Sequence, residues 1–353
     1  MISDIRLQNF RSYEDATFEF GGGVNIVVGP NGSGKTNLLE AILVIARGGS
    51  YRVSDGELVR HAAEWSRLDA HSSANSLRTI KLRLVPKPEK TFEFDGRVYR
   101  RLVDQHTLPV VLFEPNHLQL LHGSPEQRRS YLDDILEQTS PGFKSFRRNY
   151  KRVLTQRNTL LKRAKTPSPQ ELFPWDLRLS ELGAVIARER SSLTQEINGD
   201  LNALYAALSK DRKKEVEVCY QPYFPPENYE SSLLQSLSDQ RALDVARGFT
   251  GRGPHREDFE VLLGGVPVVS VASRGETRTL ILALKIFELQ YLEAKTGATP
   301  LLLLDDVFSE LDGSRRQALT SYLEKYQTFL TTTDADVVVQ HFIDKATIIP
   351  LNG

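Results

Sequence analysis

Gly29-Pro30-Asn31-Gly32-Ser33-Gly34-Lys35-Thr36 fits the spacing G-x-x-x-x-G-K-[ST], and its flanks fit too. The apolar run Val24-Asn25-Ile26-Val27-Val28 leads in as a strand, and Asn37-Leu38-Leu39-Glu40-Ala41-Ile42-Leu43 leaves as a helix. Glycines at 29, 32 and 34 let the backbone turn tightly and aim N–H groups at phosphate oxygens. The helix that follows presents its positive end to the same anion. On this reading Gly29 through Asn37 cradle phosphates, Lys35 reaches the β- and γ-phosphates, and the Thr36 hydroxyl ligates Mg2+.

Bulk properties set the bounds. A chain of 353 residues can hold one large core with an inserted lobe. Lys+Arg and Asp+Glu are both 45, so any basic surface for nucleic acid must be local. The single cysteine, Cys219, excludes an intrachain disulfide framework and a cysteine-based zinc site, and suits a reducing compartment. No apolar run approaches a membrane span, and Met1 to Leu7 lack the charged and apolar regions of a signal peptide. A soluble cytoplasmic protein with no membrane partner is expected.

Outward from the loop, residues 2–10 and Ala16 to Phe20 read as strands, and short strand patterns alternate with turns over 51–105. Leu108 to Phe113 reads as a buried strand ended by Glu114-Pro115. After Gly123-Ser124-Pro125 the texture turns helical up to about 247, with Pro167, Pro169 and Pro174 dividing it into blocks of a long helical hairpin. Strand texture returns at Phe259 to Leu263 and Val266 to Val269, and a helix is expected over 276–294. The expected division is therefore a discontinuous lobe, 1–122 with 248–353, and a mainly helical lobe inserted at 123–247.

Leu301 to Leu304, an unrelieved apolar run, ends in Asp305-Asp306. Acids at the carboxyl end of a buried parallel strand stand where ligands gather in open α/β sheets. Asp305 is expected to hold Mg2+ through its waters and Asp306 to orient or deprotonate the attacking water. Two halves of a nucleotide site about 270 residues apart, with a helical insertion between them, suggest an ABC-type ATPase head: an α/β fold with a mixed sheet around the P-loop. Heads of that class are completed by a second subunit's signature segment. Val271 to Arg278 supplies a candidate, with Ser273 and Gly275 offering a hydroxyl and N–H groups at a helix start. Ser309-Glu310-Leu311-Asp312 stands at the D-loop spacing, and Thr333 stands where a switch histidine is common.

The chain resembles the RecF family of the ABC/SMC-like ATPases over essentially its whole length. The resemblance is carried by Leu7 to Tyr13, by Pro115 to Asp133, by Gly253 to Asp258 and by Leu303 to Leu319. In the second of these the pattern P-[ED]-x-x-x-h-h-x-G-S-P-x-x-R-R-x-[FY]-h-D is departed from only at Asn116. Further departures are Glu276 in place of glutamine, the absent switch histidine, and the lack of a clear Q-loop glutamine, for which Glu114 is a candidate. The resemblance implies a weak DNA-dependent ATPase using ATP and Mg2+ in DNA repair, replication, recombination and the SOS response. It implies an ATP-driven homodimer, each site completed in trans by Ser273 and Gly275 with Asp312 at the interface. Its partners would be DNA at single-strand gaps and junctions, RecR and RecO, and RecA, which the family helps to load.

For DNA the sequence offers 144–165, rich in base and without acid: Lys144, Arg147, Arg148, Lys151, Arg152, Arg157, Lys162, Arg163 and Lys165. With Phe143, Phe146, Tyr150 and Val153 on one helical face, many of these bases point outward and would neutralise phosphates without reading bases. The upper faces of two heads are the other candidate surface. Tyr13 is a candidate for adenine stacking or an ordinary strand-end aromatic, and Arg128 and Arg129 could bind DNA or join the lobes. A transporter-type ABC subunit fits the insertion poorly, and a coiled-coil SMC protein needs a longer, proline-free one.

Overall fold

The P-loop strand of the computed structural model, which describes residues 1–72, 76–163, 167–209, 214–333 and 346–351, lies inside a five-stranded all-parallel sheet. The chain opens on a hairpin, β1 (Ile2–Phe10) and β2 (Tyr13–Glu19), followed by β3 (Val24–Val28) and α1 (Lys35–Arg47). After α2 (Asp55–Leu58) come β4 (Trp65–Ser72), β5 (Leu77–Arg83), β6 (Glu89–Phe94), β7 (Arg97–Tyr99) and β8 (Val110–Phe113). Next are α3 (Pro125–Thr139), α4 (Phe143–Leu161), α5 (Pro169–Leu208), β9 (Val216–Gln221), α6 (Tyr229–Asp239) and α7 (Arg241–Arg247). Then come β10 (Asp258–Leu263), β11 (Val266–Pro267), α8 (Val268–Val271) and α9 (Arg274–Thr296). The chain closes through β12 (Leu301–Asp305), α10 (Val307–Glu310), α11 (Gly313–Leu323), β13 (Thr328–Thr332) and β14 (Ala346–Pro350). These elements form two compact units, Met1–His117 with Glu288–Gly353, and Leu118–Phe287.

The first unit carries the parallel sheet in the order β14-β3-β13-β12-β8. Inner strands of a parallel sheet are covered on both faces, and Leu301 to Asp305 and Thr328 to Thr332 are buried at every position, the three threonines of the latter included. A second, antiparallel sheet runs β2-β1-β4-β5-β6-β7. Helix α1 shares one core with Ile5, Leu7, Leu68 and Ile80 from that sheet and with Leu301, Leu303 and Phe329 from the parallel one. Contact on both sides explains why ten of its thirteen residues are buried.

In the second unit α4 and α5 pack together, and β9, β10 and β11 form a small antiparallel sheet. Pro174 does not divide the helices as the sequence suggested. It sits in the second turn of α5, so only the carbonyl of Gln170 loses its partner, and the helix runs forty residues. Pro169 occupies the first turn, after a Ser168–Glu171 capping box. The strand expected over Val266 to Val269 stops at Pro267 and continues as α8. The junction expected at 248 also moves: residues 248–287 belong to the second unit. The reason is pairing that the sequence does not display, since β10 runs antiparallel to β9 from Asp258↔Gln221 to Leu263↔Val216. Arg190 reinforces it by donating to the Pro254 carbonyl at 2.7 Å.

Candidate nucleotide site

Register brings the chemical groups to one end of the parallel sheet. Thr332 pairs with Val28, Asp305 with Thr331, and Leu304 with Phe113, so the P-loop, the acid pair and Glu114 all follow carboxyl ends of adjoining strands. The loop's glycines are required on steric grounds. Gly32 and Gly34 have φ of 85° and 100°. A Cβ at Gly29 would meet Ser33 Oγ at 2.6 Å and the Leu351 carbonyl at 2.8 Å, and one at Gly34 would meet the Tyr13 hydroxyl at 2.8 Å. That hydroxyl donates to the Gly34 carbonyl at 3.1 Å, so Tyr13 braces the loop and packs edge-on against Phe18. Its burial pushes the phenol up to about 12. Asn37 donates to Ser12 at 2.9 Å, and Arg11 pairs with the buried Glu40 at 2.6 Å, pinning the β1–β2 turn to the start of α1.

Lys35 is buried, its Nζ donating to the Gly29 and Pro30 carbonyls at 2.8 and 3.1 Å, which points the amine along the inner side of the loop. The Thr36 hydroxyl donates to the Asp305 carboxylate at 2.9–3.0 Å. Thr331 donates to Asp305 Oδ1 at 2.8 Å and accepts from the Asp306 N–H at 2.9 Å. One hydroxyl thus fixes both acids, a role that the sequence reading missed because only the strand register puts Thr331 beside Asp305. Asp306 adopts a left-handed backbone, φ 51°, a conformation uncommon for a residue other than glycine. Desolvation raises its pKa, the Lys35 cation opposes this, and the Asp305 charge adds to it.

Glu114 is buried at the end of β8 and accepts from the Tyr51 hydroxyl, while its N–H donates to His117 at 3.1 Å. Tyr51, also missed, has its phenol pushed up by burial first and then by Glu114. The Ser33 hydroxyl is buried without a hydrogen-bond partner among the described residues. An orphaned hydroxyl in a glycine cradle, beside a buried amine, is a donor set suited to phosphate oxygens. The Thr36 hydroxyl and Asp305 carboxylate converge as hard oxygen ligands suited to Mg2+.

The remaining sequence-predicted residues belong to other elements. Ser273 caps α9 in the second unit: its hydroxyl donates to Glu276 at 2.8 Å and accepts from the Glu276 N–H at 3.2 Å. Lys214 holds the same carboxylate at 2.6 Å, and these hydrogen bonds pull the Glu276 pKa down to about 2. Gly275 lies in the first turn of α9, its carbonyl accepting from Thr279 at 2.9 Å. Asp312 caps α11, accepting from the Arg315 N–H at 3.0 Å. Thr333 is exposed beyond β13, whereas Asp334 falls outside the described residues.

The basic stretch requires correction. Arg157, expected at DNA, is wholly buried and paired with Asp176 at 2.5 Å and Asp244 at 2.7 Å. Arg147 is tied to Asp133 at 3.0 Å and Glu137 at 2.8 Å. Both residues face acids on neighbouring helices that a scan of one helix cannot see. Lys144, Arg148, Lys151, Arg152, Lys162 and Arg163 are exposed, and Lys165 lies outside the described residues. Phe143 and Tyr150 are core, but Phe146 is 38% exposed. Arg128 pairs with Asp258 at 2.6 Å and Arg129 donates to the Glu257 carbonyl at 2.7 Å, so both serve inside the second unit.

A P-loop on a parallel sheet, with an acid pair closing the strand next but one and a helical unit inserted between them, defines an ABC-type ATPase head. Residues 1–348 match the RecF/RecN/SMC N terminal domain family. The chain is 38% identical to the DNA replication and repair protein RecF of Heliobacterium modesticaldum, over 94% of this chain and 92% of that protein. It is 32% identical to the RecF of a Picosynechococcus species, over 99% and 95%. A solved structure of the recombination mediator protein RecF-ATPrS in the RecFOR pathway superposes with a TM-score of 0.88 at 29% identity, covering 96% of this chain and 94% of that one. An Smc head bound to the C-winged helix domain of ScpA shares the fold, with a TM-score of 0.55 at 15% identity. The chain belongs to the RecF family.

Proposed function

We propose that this chain is a cytoplasmic DNA-repair ATPase that dimerises on ATP, binds DNA at single-strand gaps, and acts with RecR and RecO in loading RecA. The observation that carries the reading is the Thr36–Asp305–Thr331–Asp306 chain of hydrogen bonds beside the buried Lys35. The family membership and the ATP-complexed relatives support it. The loop N–H groups and Lys35 bind the triphosphate, and Thr36 and Asp305 would hold Mg2+. When bound, the ion would supply charge neutralisation for the phosphoryl group being transferred. Asp306, more basic than an ordinary aspartate, orients and deprotonates the attacking water.

A second copy contributes Ser273 and Gly275 to the γ-phosphate, with Asp312 near the interface. For that contact the Ser273 hydroxyl must leave Glu276, a barrier consistent with slow turnover. Contacts that exist only in the closed dimer make nucleotide state set the monomer–dimer balance. Exposed Lys144, Arg148, Lys151 and Arg152 on α4 track duplex phosphates, with steep salt dependence. Light scattering tests the reading. ATP should double the mass of the wild type and leave Lys35→Met unchanged, and an unaltered dimer in that variant refutes the nucleotide-driven closure.

A further inference from the structure

The second unit holds a surface that the α4 stripe does not include. The Arg252 guanidinium lies over the Tyr223 ring at 4.5 Å, and the Arg256 guanidinium lies over the Phe249 ring at 4.7 Å. The two pairs are joined, because the Tyr223 hydroxyl donates to the Arg256 carbonyl at 3.5 Å. Tyr223 and Phe249 remain 38% and 37% exposed, and among the described residues neither arginine has an acidic partner. Arginine–aromatic pairs left open to solvent offer planar faces with positive charge, the combination on which unpaired bases stack.

The patch is held rigid from beneath. Thr250 donates to Asn158 on α4 at 2.8 Å and accepts from the buried Arg157 at 2.9 Å. His255 bridges the Tyr150 hydroxyl at 2.7 Å and the Thr250 carbonyl at 3.1 Å. Glu257 accepts from the Tyr223 N–H at 3.0 Å and from the Tyr229 hydroxyl at 2.5 Å. A Cβ at Gly253, φ 125°, would meet the Tyr150 hydroxyl at 2.6 Å, so the loop is seated directly on α4. One consequence is placement: a Cβ at Gly248 would lie 3.3 Å from Lys162 Cγ, so the patch continues from the basic end of α4. Another is that a preformed surface has little ordering entropy left to lose on binding.

Next to Tyr223, beyond Phe224, α6 borders a hollow of about 480 Å3 lined by Ser231, Ser232, Gln235, Ser236 and Gln240. Asp239 also lines it. Neutral donors and acceptors with one carboxylate suit base edges and disfavour phosphates.

We infer that Arg252–Tyr223 and Arg256–Phe249 form a stacking platform for single-stranded DNA, next to the phosphate-tracking face of α4. The inference rests on the DNA-binding reading and deepens it, since it separates the strand that is stacked from the duplex that is tracked. An acidic protein partner is the competing occupant. Neutral base-edge groups beside the rings, with a carboxylate among them, favour nucleobases.

Fluorescence anisotropy at fixed salt tests it on the full chain with ATP, using an oligothymidylate, the same strand with abasic sites, and a duplex. Tyr223→Leu/Phe249→Leu and Arg252→Lys/Arg256→Lys should each weaken oligothymidylate binding about tenfold. Duplex affinity and the salt slope should stay the same, and the abasic strand should bind wild type as weakly as oligothymidylate binds the variants. The lysine variants keep the charge, so an effect in them isolates stacking from phosphate attraction. Unchanged oligothymidylate binding in folded variants overturns the inference and leaves the surface to an acidic protein partner. Equal losses on single strand and duplex also overturn it, by making the arginines phosphate contacts. Wild type that binds neither DNA refutes the DNA-binding reading itself.

Discussion

Replacing Arg157 by methionine separates a scaffolding role from a DNA-contact role. The side chain is fully buried, donates to Asp176, Asp244 and Thr250, and stands between α4, α5 and α7. Methionine fills much of the volume, so the cavity term is small, and the loss is electrostatic. Removing one member of a buried ion pair costs about 3–5 kcal/mol, because the other charge stays behind. Here two carboxylates lose their cation. Asp244 keeps the Gly251 N–H at 3.0 Å, which offsets part of the cost. We expect a loss of about 4 kcal/mol.

The sign with pH is fixed by Asp176, whose pKa is raised mainly by desolvation and lowered by Arg157. Without the arginine that pKa rises further. A group raised in the folded state favours folding most below its unfolded pKa, and loses that benefit as pH rises through the folded value. The deficit of the variant should therefore narrow as the pH falls toward the carboxylate range. Urea titration in a Trp65→Phe background reads the second unit through Trp175. Arg152→Glu, on the exposed face, should instead lower DNA affinity with its urea midpoint unchanged. If Arg157→Met unfolds like wild type while DNA affinity falls, the buried-pair reasoning is wrong.

Three further outcomes are expected. Thr331→Val removes one hydrogen bond to Asp305 and one from Asp306, so ATP turnover should fall about tenfold. Nucleotide binding by fluorescent analogue should persist, and loss of binding would show that Thr331 shapes the loop instead. Asp306→Asn should hold the ATP-bound dimer in size-exclusion chromatography, and rapid turnover by that variant would remove Asp306 as the base. His255, pushed down to about 4 by burial, contributes stability above its ordinary value of 6.5 that is lost as pH falls toward 4, about 3 kcal/mol in all. His255→Asn should flatten that acid limb of the second unit's urea midpoint, and an unchanged slope would assign the loss to other groups.

The glycine loop and the acid pair were legible because their signals are local. Spacing from Gly29 to Thr36, the apolar runs on either side, and Asp305-Asp306 closing Leu301 to Leu304 each follow from backbone sterics and burial within one segment. The bounds of β1 followed for the same reason, while β8 starts two residues later than Leu108 and β12 runs one residue past Leu304. Thr331 and Tyr51 were not legible. Their roles depend on which strand lies beside which and on where a loop folds back, and no residue pattern within their own segments encodes that.

The basic stretch shows the division most clearly. Periodicity over 143–161 determined a helix with aromatic and basic faces, and nothing local distinguished Arg157 from Arg152. Packing decided it: Asp176 and Asp244 meet at Arg157 from α5 and α7, so one arginine became a buried pillar while its neighbour stayed in solvent. The second unit's junction moved from 248 to 287 by the same mechanism, when β10 paired with β9. Sequence alone placed the tight glycine loop and the acid pair at strand ends, since short-range sterics and burial dictate them. Tertiary structure alone settled which charges are spent inside the protein and which stay in solvent, because an ion pair is defined by two residues and the chain states only one at a time.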